Sequence, residues 1–478
     1  MCFQKKKFYI TTSIAYTNAP PHLGYALEVV QADVLARYHR LVGEDVFFLT
    51  GTDEHGQKVV KAASEAGKSP QEFCDEISGL FRKLKDVLNL SNDDFIRTSD
   101  KKRHWPVAEK VWLKLQQNKD IYKKKYKGLY CVGCEAFVKE KDLVDNKCSL
   151  HGKEPELIEE ENWFFRLSKY ASRIEKAISK DEIRIYPQVR KNEILSFIRQ
   201  GVEDTSCSRP SQTLKWGIPV PGDESQTIYI WLEALLNYIS ALDYDRGRNF
   251  KKFWPADVHF VGKDIFRFHA LLWPGILFSL KLPLPRNIFV HGFINVDGQK
   301  MSKSLGNVID PFELVRRYGT DPVRYFLLRE ITPNEDGDFT YSKFEQRYNS
   351  DLAKGLGNFA ARVVKLKEIY QIKNSQPRKF FNSEFDKVLK KTKKEYDLSF
   401  KSFKFNESLM LVWDFISFCD RYIEREKPWE GKKEKIVSDL ISALFEISYL
   451  VSPFLPATSE SILKQLRGQE SRLLFPRI

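Results

Sequence analysis

The chain has 478 residues, 42% of them hydrophobic, enough for real cores and, at about 150 residues apiece, for roughly three domains. Lys and Arg number 77 against 64 Asp and Glu; the +13 balance suits a polyanionic partner, or simply a lysine-rich solvated surface. Thr11, Thr12 and Ser13 break the run after the basic start, so no signal peptide, transit peptide or membrane span is expected, and seven cysteines, an odd number with three clustered, point to a reducing cytosol.

In chain order, residues 8–12, 46–50, 257–262 and 287–293 are predicted strands, short apolar runs beside turn residues. Helical stretches of about 15 residues separate some of them, as in βα units. That alternation predicts an α/β, Rossmann-like parallel sheet with ligands at the carboxyl ends of its strands. The gap between the second and third strands is too long for one crossover, so an insertion must fill it. After Tyr341 the pattern is helical, with Leu409, Val412, Trp413, Ile416 and Ile423 at helical spacing. Breaks at Gln376-Pro377 and at Pro453 and Pro456 divide this region into an α-helical bundle of about four or five helices. Cys2, Cys74, Cys207 and Cys419 stand alone and read as packing residues.

Three motifs carry chemistry. Pro21-His22-Leu23-Gly24-Tyr25-Ala26 lies between the β-rich run 8–12 and a helical run from Ala26. This strand–turn–helix order puts His22 at a helix N-terminus, where free amides and the helix dipole favour phosphate. Gly24 allows close approach of a flat ring. In Asp297-Gly-Gln-Lys-Met-Ser-Lys-Ser-Leu-Gly306, Lys300 and Lys303 sit on a glycine-flanked loop. Such a loop supplies positive charge where negative charge grows in phosphoryl or nucleotidyl transfer; taken alone it also reads as a surface turn. Cys131, Cys134, Cys148 and His151 follow the pattern Cys-x2-Cys-x13-Cys-x2-His. Three thiolates and an imidazole make a closed tetrahedral site, so a zinc ion there would be structural.

Together the His22 and Lys300 motifs resemble the two signatures of class I aminoacyl-tRNA synthetases. Further segments are similar to the methionyl-tRNA synthetase family: Thr50-Gly-Thr-Asp-Glu-His-Gly56, Trp216-Gly-Ile-Pro-Val-Pro221, Tyr229-Ile-Trp231, Val261-Gly-Lys-Asp264, Phe268-His269, Trp273-Pro274 and Lys427-Pro-Trp429. The likeness covers nearly the whole chain. It departs at Tyr25, where the signature has histidine, and at Glu233, where the family usually has aspartate.

The resemblance implies ATP- and Mg²⁺-dependent formation of methionyl-adenylate and transfer of methionine to the 3′-end of tRNA(Met). It implies that Lys300, Lys303, His22 and Tyr25 act in catalysis, and that Gly24, Lys263 and Asp264 join them at ATP. L-Methionine falls to Ser13, Ile14, Tyr16, Asp53, Trp231, Ala234, Leu235, Tyr238, Phe268 and His269. Aromatic walls suit a thioether, although Trp231, Tyr238 and Phe268 also read as core and Asp53 as a helix cap. Arg209 matches an arginine near the active site. Asn358 and Arg362, four apart on one helix face, and Trp429 fall on the anticodon readers. Cys131, Cys134, Cys148 and His151 coincide with the family's zinc knuckle.

The implied domains are a first catalytic half over 1–117, a connective insertion with the knuckle over 118–228, a second catalytic half over 229–325, a stem-contact linker over 326–350 and an anticodon-binding domain over 351–478. A cytoplasmic monomer is expected, because the C-terminal extension of some relatives is missing. Two rival readings remain on the residues alone. One is a class I synthetase for another amino acid. The other is a silent tRNA-binding relative, suggested by Tyr25 and Glu233.

Overall fold

The computed structural model describes residues 6–133, 136–138, 140, 143–149, 152–301, 305–372, 378–469 and 472–478. The chain divides into two units. The first comprises 1–21, 43–85 and 91–291, and the second 22–42, 86–90 and 292–478.

The first unit is built on a seven-stranded sheet. Its strand order is Arg184–Tyr186, Asn287–His291, Val258–Gly262, Lys7–Thr12, Asp45–Asp53 and Ala15–Tyr16, with Asp94–Arg97 also paired to Asp45–Asp53. Every pairing is parallel. Sheets of this kind are covered on both faces, so their strands read as continuous apolar runs rather than alternating ones. Tyr9 and Ile10 of the strand Lys7–Thr12 are fully buried accordingly. This strand lies between Asp45–Asp53 on one side and Val258–Gly262 on the other. The chain therefore leaves it in opposite directions, and the crevice at its carboxyl end is the switch point where such sheets bind ligands. Trp112 and Trp273 are fully buried in the core that packs on the sheet.

The stretch between the second and third predicted strands carries an antiparallel sheet. Its long ribbon pairs Ile121–Cys131 with Glu156–Phe165, placing Lys125 opposite Glu161 and Lys127 opposite Glu159. Opposite charges facing each other across strands fix this register. The predicted strands at 8–12, 46–50, 257–262 and 287–293 correspond to Lys7–Thr12, Asp45–Asp53, Val258–Gly262 and Asn287–His291.

The second unit holds the helix Leu23–Leu41, a small sheet of Gln299–Lys300, Ile294–Val296 and Gly337–Phe339, and a bundle. The bundle helices are Asn358–Ile369, Ser383–Lys401, Phe405–Glu426, Glu434–Val451 and Pro456–Leu466. The break expected at Gln376-Pro377 lies outside the described residues; the break at Pro453 and Pro456 separates the last two helices. Leu409, Val412, Ile416 and Ile423 are buried along one stripe of Phe405–Glu426, as their spacing requires.

Arg324 ties this unit together. Its guanidinium is fully buried and lies 2.8 Å from Asp33 of the helix Leu23–Leu41. It also donates to the carbonyls of Leu88 (3.0 Å), Pro453 (2.9 Å) and Phe454 (2.7 Å). Asp33 in turn accepts from Arg37 at 2.7 Å. Nearby, the Tyr38 ring stacks on Phe400 at 4.1 Å. The helix that opens at the first signature motif thus packs with the C-terminal bundle.

Candidate active site

The candidate residues fall into two groups, one on each unit. In the first unit they gather where strands end. Ser13 and Ile14 follow Thr12, Asp53 closes Asp45–Asp53, and Lys263 and Asp264 follow Gly262. At Gly262 a Cβ would lie 2.7 Å from Asp264 Oδ1, so a larger residue would have to displace that carboxylate.

Asp53 is a buried strand residue rather than a helix cap, and its carbonyl holds Thr17 N at 3.0 Å. Its neighbour Glu54 is gripped by both arms of Arg97, at 2.7 and 2.8 Å. Beside this run the helix Ile230–Leu235 carries Trp231, Ala234 and Leu235. Trp231 stacks face to face on Phe268, with centroids 3.8 Å apart and planes within 6°. Both rings are half-buried, whereas Tyr238 and His269 are buried.

His269 Nδ1 lies 3.1 Å from the Ile265 carbonyl and must donate to it. Its Nε2 then accepts from the Tyr238 hydroxyl, 2.7 Å away. Burial pulls the His269 pKa down to about 4, with the Ile265 bond opposing, so the ring is neutral at physiological pH. His259 lies beneath, its ring 4.2 Å from that of Tyr238, and burial likewise lowers its pKa. A polarisable thioether suits neutral, aromatic surroundings of this kind, and a charged side chain does not.

Arg209 has its own partners. It is buried in the insertion, 3.0 Å from Glu160 and 4.1 Å above the Tyr130 ring. It is therefore neither an exposed loop charge nor, in this arrangement, a spare cation.

In the second unit His22 is the N-cap of Leu23–Leu41, with Nδ1 accepting from Gly24 N at 3.1 Å. A neutral ring then carries its proton on Nε2. A Cβ at residue 24 would meet the His22 ring at 2.9 Å and Met301 Cε at 3.4 Å. The His22 ring thus lies close against Gly24, and the two signature motifs meet here. Leu23 N also bonds Ile309 O at 3.1 Å. Lys300 is exposed, with Nζ 5.7 Å from the centre of the Phe293 ring, and Tyr25 is half-buried. Lys303 lies outside the described residues.

In the bundle Asn358 is exposed and Arg362 pairs with Asp420 (3.3 Å) and Glu424 (2.5 Å). Trp429 is 52% exposed, so it does not cap the core. Its loop is held to the end of the helix Asn358–Ile369 by the Tyr370 hydroxyl, which donates to Gly431 O at 2.6 Å. Of the knuckle residues, Cys131 and Cys148 are buried, while Cys134 and His151 lie outside the described residues. Among the described residues no cluster of three or more His, Cys, Asp or Glu is arranged to hold a metal.

Comparison with known proteins decides the family. A family model described as tRNA synthetases class I (M) matches residues 8–142 and 134–364, and one for the anticodon-binding domain of tRNA ligases matches 379–476. The methionine–tRNA ligase of Thermotoga maritima is 42% identical over 97% of this chain and 76% of its own length. That of Brucella melitensis is 40% identical over 98% and 94%.

The chain belongs to the class I methionine–tRNA ligases.

Among solved structures, Mycobacterium tuberculosis methionyl-tRNA synthetase in complex with methionyl-adenylate matches with a TM-score of 0.91 at 34% identity. That match covers 99% of this chain and all of the other. The family's catalytic sheet and helical anticodon-binding region are therefore those described above. Sequence reasoning missed the buried histidines that brace the first unit's group: His55, His104 and His259. No local pattern marks them, although His55 stands inside a segment already noted for its family likeness.

Proposed function

We propose that this chain activates L-methionine with ATP to methionyl-adenylate and transfers the methionyl group to the 3′-end of tRNA(Met). The observation that carries the reading is the group at the strand ends of the first unit. A buried carboxylate, Asp53, stands with a stacked Trp231–Phe268 pair and a neutral Tyr238–His269 pair. Asp53 holds the substrate ammonium, and the aromatic wall, with Ser13, Ile14, Tyr16, Ala234 and Leu235, holds the thioether. With the amino acid so held, its carboxylate attacks the α-phosphorus of ATP and pyrophosphate leaves.

Lys300 and Lys303 stabilise the charge that grows on the leaving phosphates. The Nε2–H of His22 and the Tyr25 hydroxyl donate to phosphate or ribose oxygens, and Gly24, Lys263 and Asp264 complete the nucleotide contacts. Magnesium, bound with ATP, neutralises polyphosphate charge. Asn358, Arg362 and the exposed Trp429 read the anticodon, stacking on an unpaired base and contacting base edges. Within the domains the resemblance implies, residues 118–228 form the connective insertion, 326–350 contact the tRNA stem and 351–478 bind the anticodon. We propose that the chain acts as a monomer. No helix among the described residues is long and apolar enough to cross a membrane, and we place the protein in the cytoplasm.

A structural zinc on Cys131, Cys134, Cys148 and His151 is part of the proposal. The described half of the set fits. Cys131 ends the long ribbon and Cys148 ends a two-residue strand. Both thiols are buried, and Cys148 closes a tight turn through Lys153 O (2.9 Å) and Gly152 N (2.8 Å). Thiolate and imidazole donors are those zinc prefers.

The test is ATP–pyrophosphate exchange over a panel of amino acids. Methionine alone should support rapid exchange; a preference for another amino acid, or none at all, would refute the reading.

A further inference from the structure

Glu233 lies in the helix Ile230–Leu235 and is fully buried. Its two carboxylate oxygens face two buried histidines. Oε1 is 2.8 Å from His55 Nδ1, and Oε2 is 2.8 Å from His104 Nε2. His104 Nδ1 is in turn 2.9 Å from Ser240 Oγ.

An ionised carboxylate only accepts. Both rings must therefore donate to it, which in a neutral His104 ring leaves Nδ1 to accept from the Ser240 hydroxyl. Burial alone would raise the Glu233 pKa; the nearby His55 charge and the hydrogen bond from His104 outweigh it, and the carboxyl stays below its ordinary range. His55 is also wedged edge-on between Trp216 and Trp105, with centroids at 5.5 and 6.0 Å.

The chain positions of these groups matter. His55 comes two residues after Asp53. Glu233 comes two after Trp231 and immediately before Ala234 and Leu235. One carboxylate thus links the strand end proposed for the substrate ammonium to the helix proposed for its thioether. The link spans 178 residues of sequence. We propose that Glu233 is a positioning residue: through His55 and His104 it sets the separation of the two walls of the methionine site, and so the length of side chain that site prefers. This rests on the assignment of Asp53 and Trp231 to methionine made above.

Two substitutions separate length from charge. Glu233→Asp keeps the charge and removes one methylene, so both rings cannot be reached without moving the helix. Glu233→Gln keeps the length. Its oxygen can accept from His55, while its amide donates to His104. That ring then turns its proton towards Ser240, whose hydroxyl already lies 3.3 Å from the Asn237 carbonyl.

The experiment is methionine-dependent ATP–pyrophosphate exchange, with methionine compared against its S-ethyl homologue ethionine. For Glu233→Asp we expect the methionine KM to rise about tenfold, the scale of one buried hydrogen bond. Its kcat should move far less, and its preference for methionine over ethionine should change by several-fold. Glu233→Gln should stay near the parent in both. A purely structural role would lower the folded fraction and leave KM and the preference alone.

If Glu233→Asp fails to fold, His55→Ala and His55→Asn give the same readout from the other end of the link. Asn can place an N–H near the position of Nδ1, so it should rescue what Ala loses. The proposal is overturned if Glu233→Asp, or His55→Ala, keeps the parent KM and preference. It is equally overturned if Glu233→Gln is as damaged as Glu233→Asp, because charge rather than reach would then be the operative property. If the parent itself shows no methionine-dependent exchange, the functional reading has failed instead, and the parent assay alone reveals that.

Discussion

Replacing Arg324 with methionine is expected to destabilise the second unit by about 4 kcal/mol, within the range for breaking a buried ion pair from one side. Burial works against the guanidinium's charge, and Asp33 opposes that effect. Removing the cation strips Asp33 of a partner at 2.8 Å and leaves the Leu88, Pro453 and Phe454 carbonyls without their donor. Those three bonds account for about 1 kcal/mol each. Two effects keep the loss from growing further. Arg37 still reaches Asp33 at 2.7 Å, and the methionine side chain recovers roughly 1–2 kcal/mol of apolar burial. For a unit of this size each kcal/mol moves the melting midpoint by about 2–4 °C, so a fall of roughly 8–16 °C should appear in thermal unfolding followed by circular dichroism. Combining Asp33→Asn with Arg324→Met should cost less than the sum of the two, because a neutral amide no longer needs the cation. A loss below about 1 kcal/mol for Arg324→Met, or strict additivity in the double variant, would show that this buried network carries little stability.

Lys300→Ala and Lys303→Ala should each slow adenylate formation about a hundredfold, the usual cost of losing one preorganised donor, with the methionine KM unchanged; single-turnover rates would check this, and equal damage to methionine binding would refute the role. Tyr25→Phe should slow adenylation by at most about 1.5–3 kcal/mol of barrier, the range for one hydrogen bond to a charged group, while Tyr25→His matches or modestly exceeds the parent; if Phe equals Tyr in pre-steady-state rate, the hydroxyl has no part. Protein purified without added metal should contain close to one zinc per chain, and Cys148→Ser should reduce that content in elemental analysis. His269 titrates near pH 4 in the fold and near 6.5 unfolded. Between those values the unfolded chain binds a proton that the native state refuses, so stability must fall as pH drops from about 6.5 to about 4. His269→Gln should reduce that slope by about one proton in denaturant unfolding measured across the window.

Four of the seven strands of the catalytic sheet and the helical character after Tyr341 were legible in the order of residues. Each depends on short-range physics: apolar runs, helical periodicity and proline breaks act within a few residues of one another. The family likeness extended that reading to Asp53, Trp231 and Tyr238. By composition alone a pocket wall cannot be told from a core wall, because both use the same side chains.

What local pattern could not supply were the partners. Arg209 could have been an exposed loop charge, but it is buried in the insertion against Glu160 and Tyr130. Trp429 could have capped the bundle but stands exposed. His22 opens a helix whose middle is locked by Arg324, 291 residues after Asp33 in sequence and 2.8 Å away in space. Glu233 looked like a one-methylene substitution until its two oxygens were found between His55 and His104. A buried charge needs compensation, but sequence says only that some partner must exist. Which partner it is depends on elements brought together from far along the chain, and only the packed fold makes that choice.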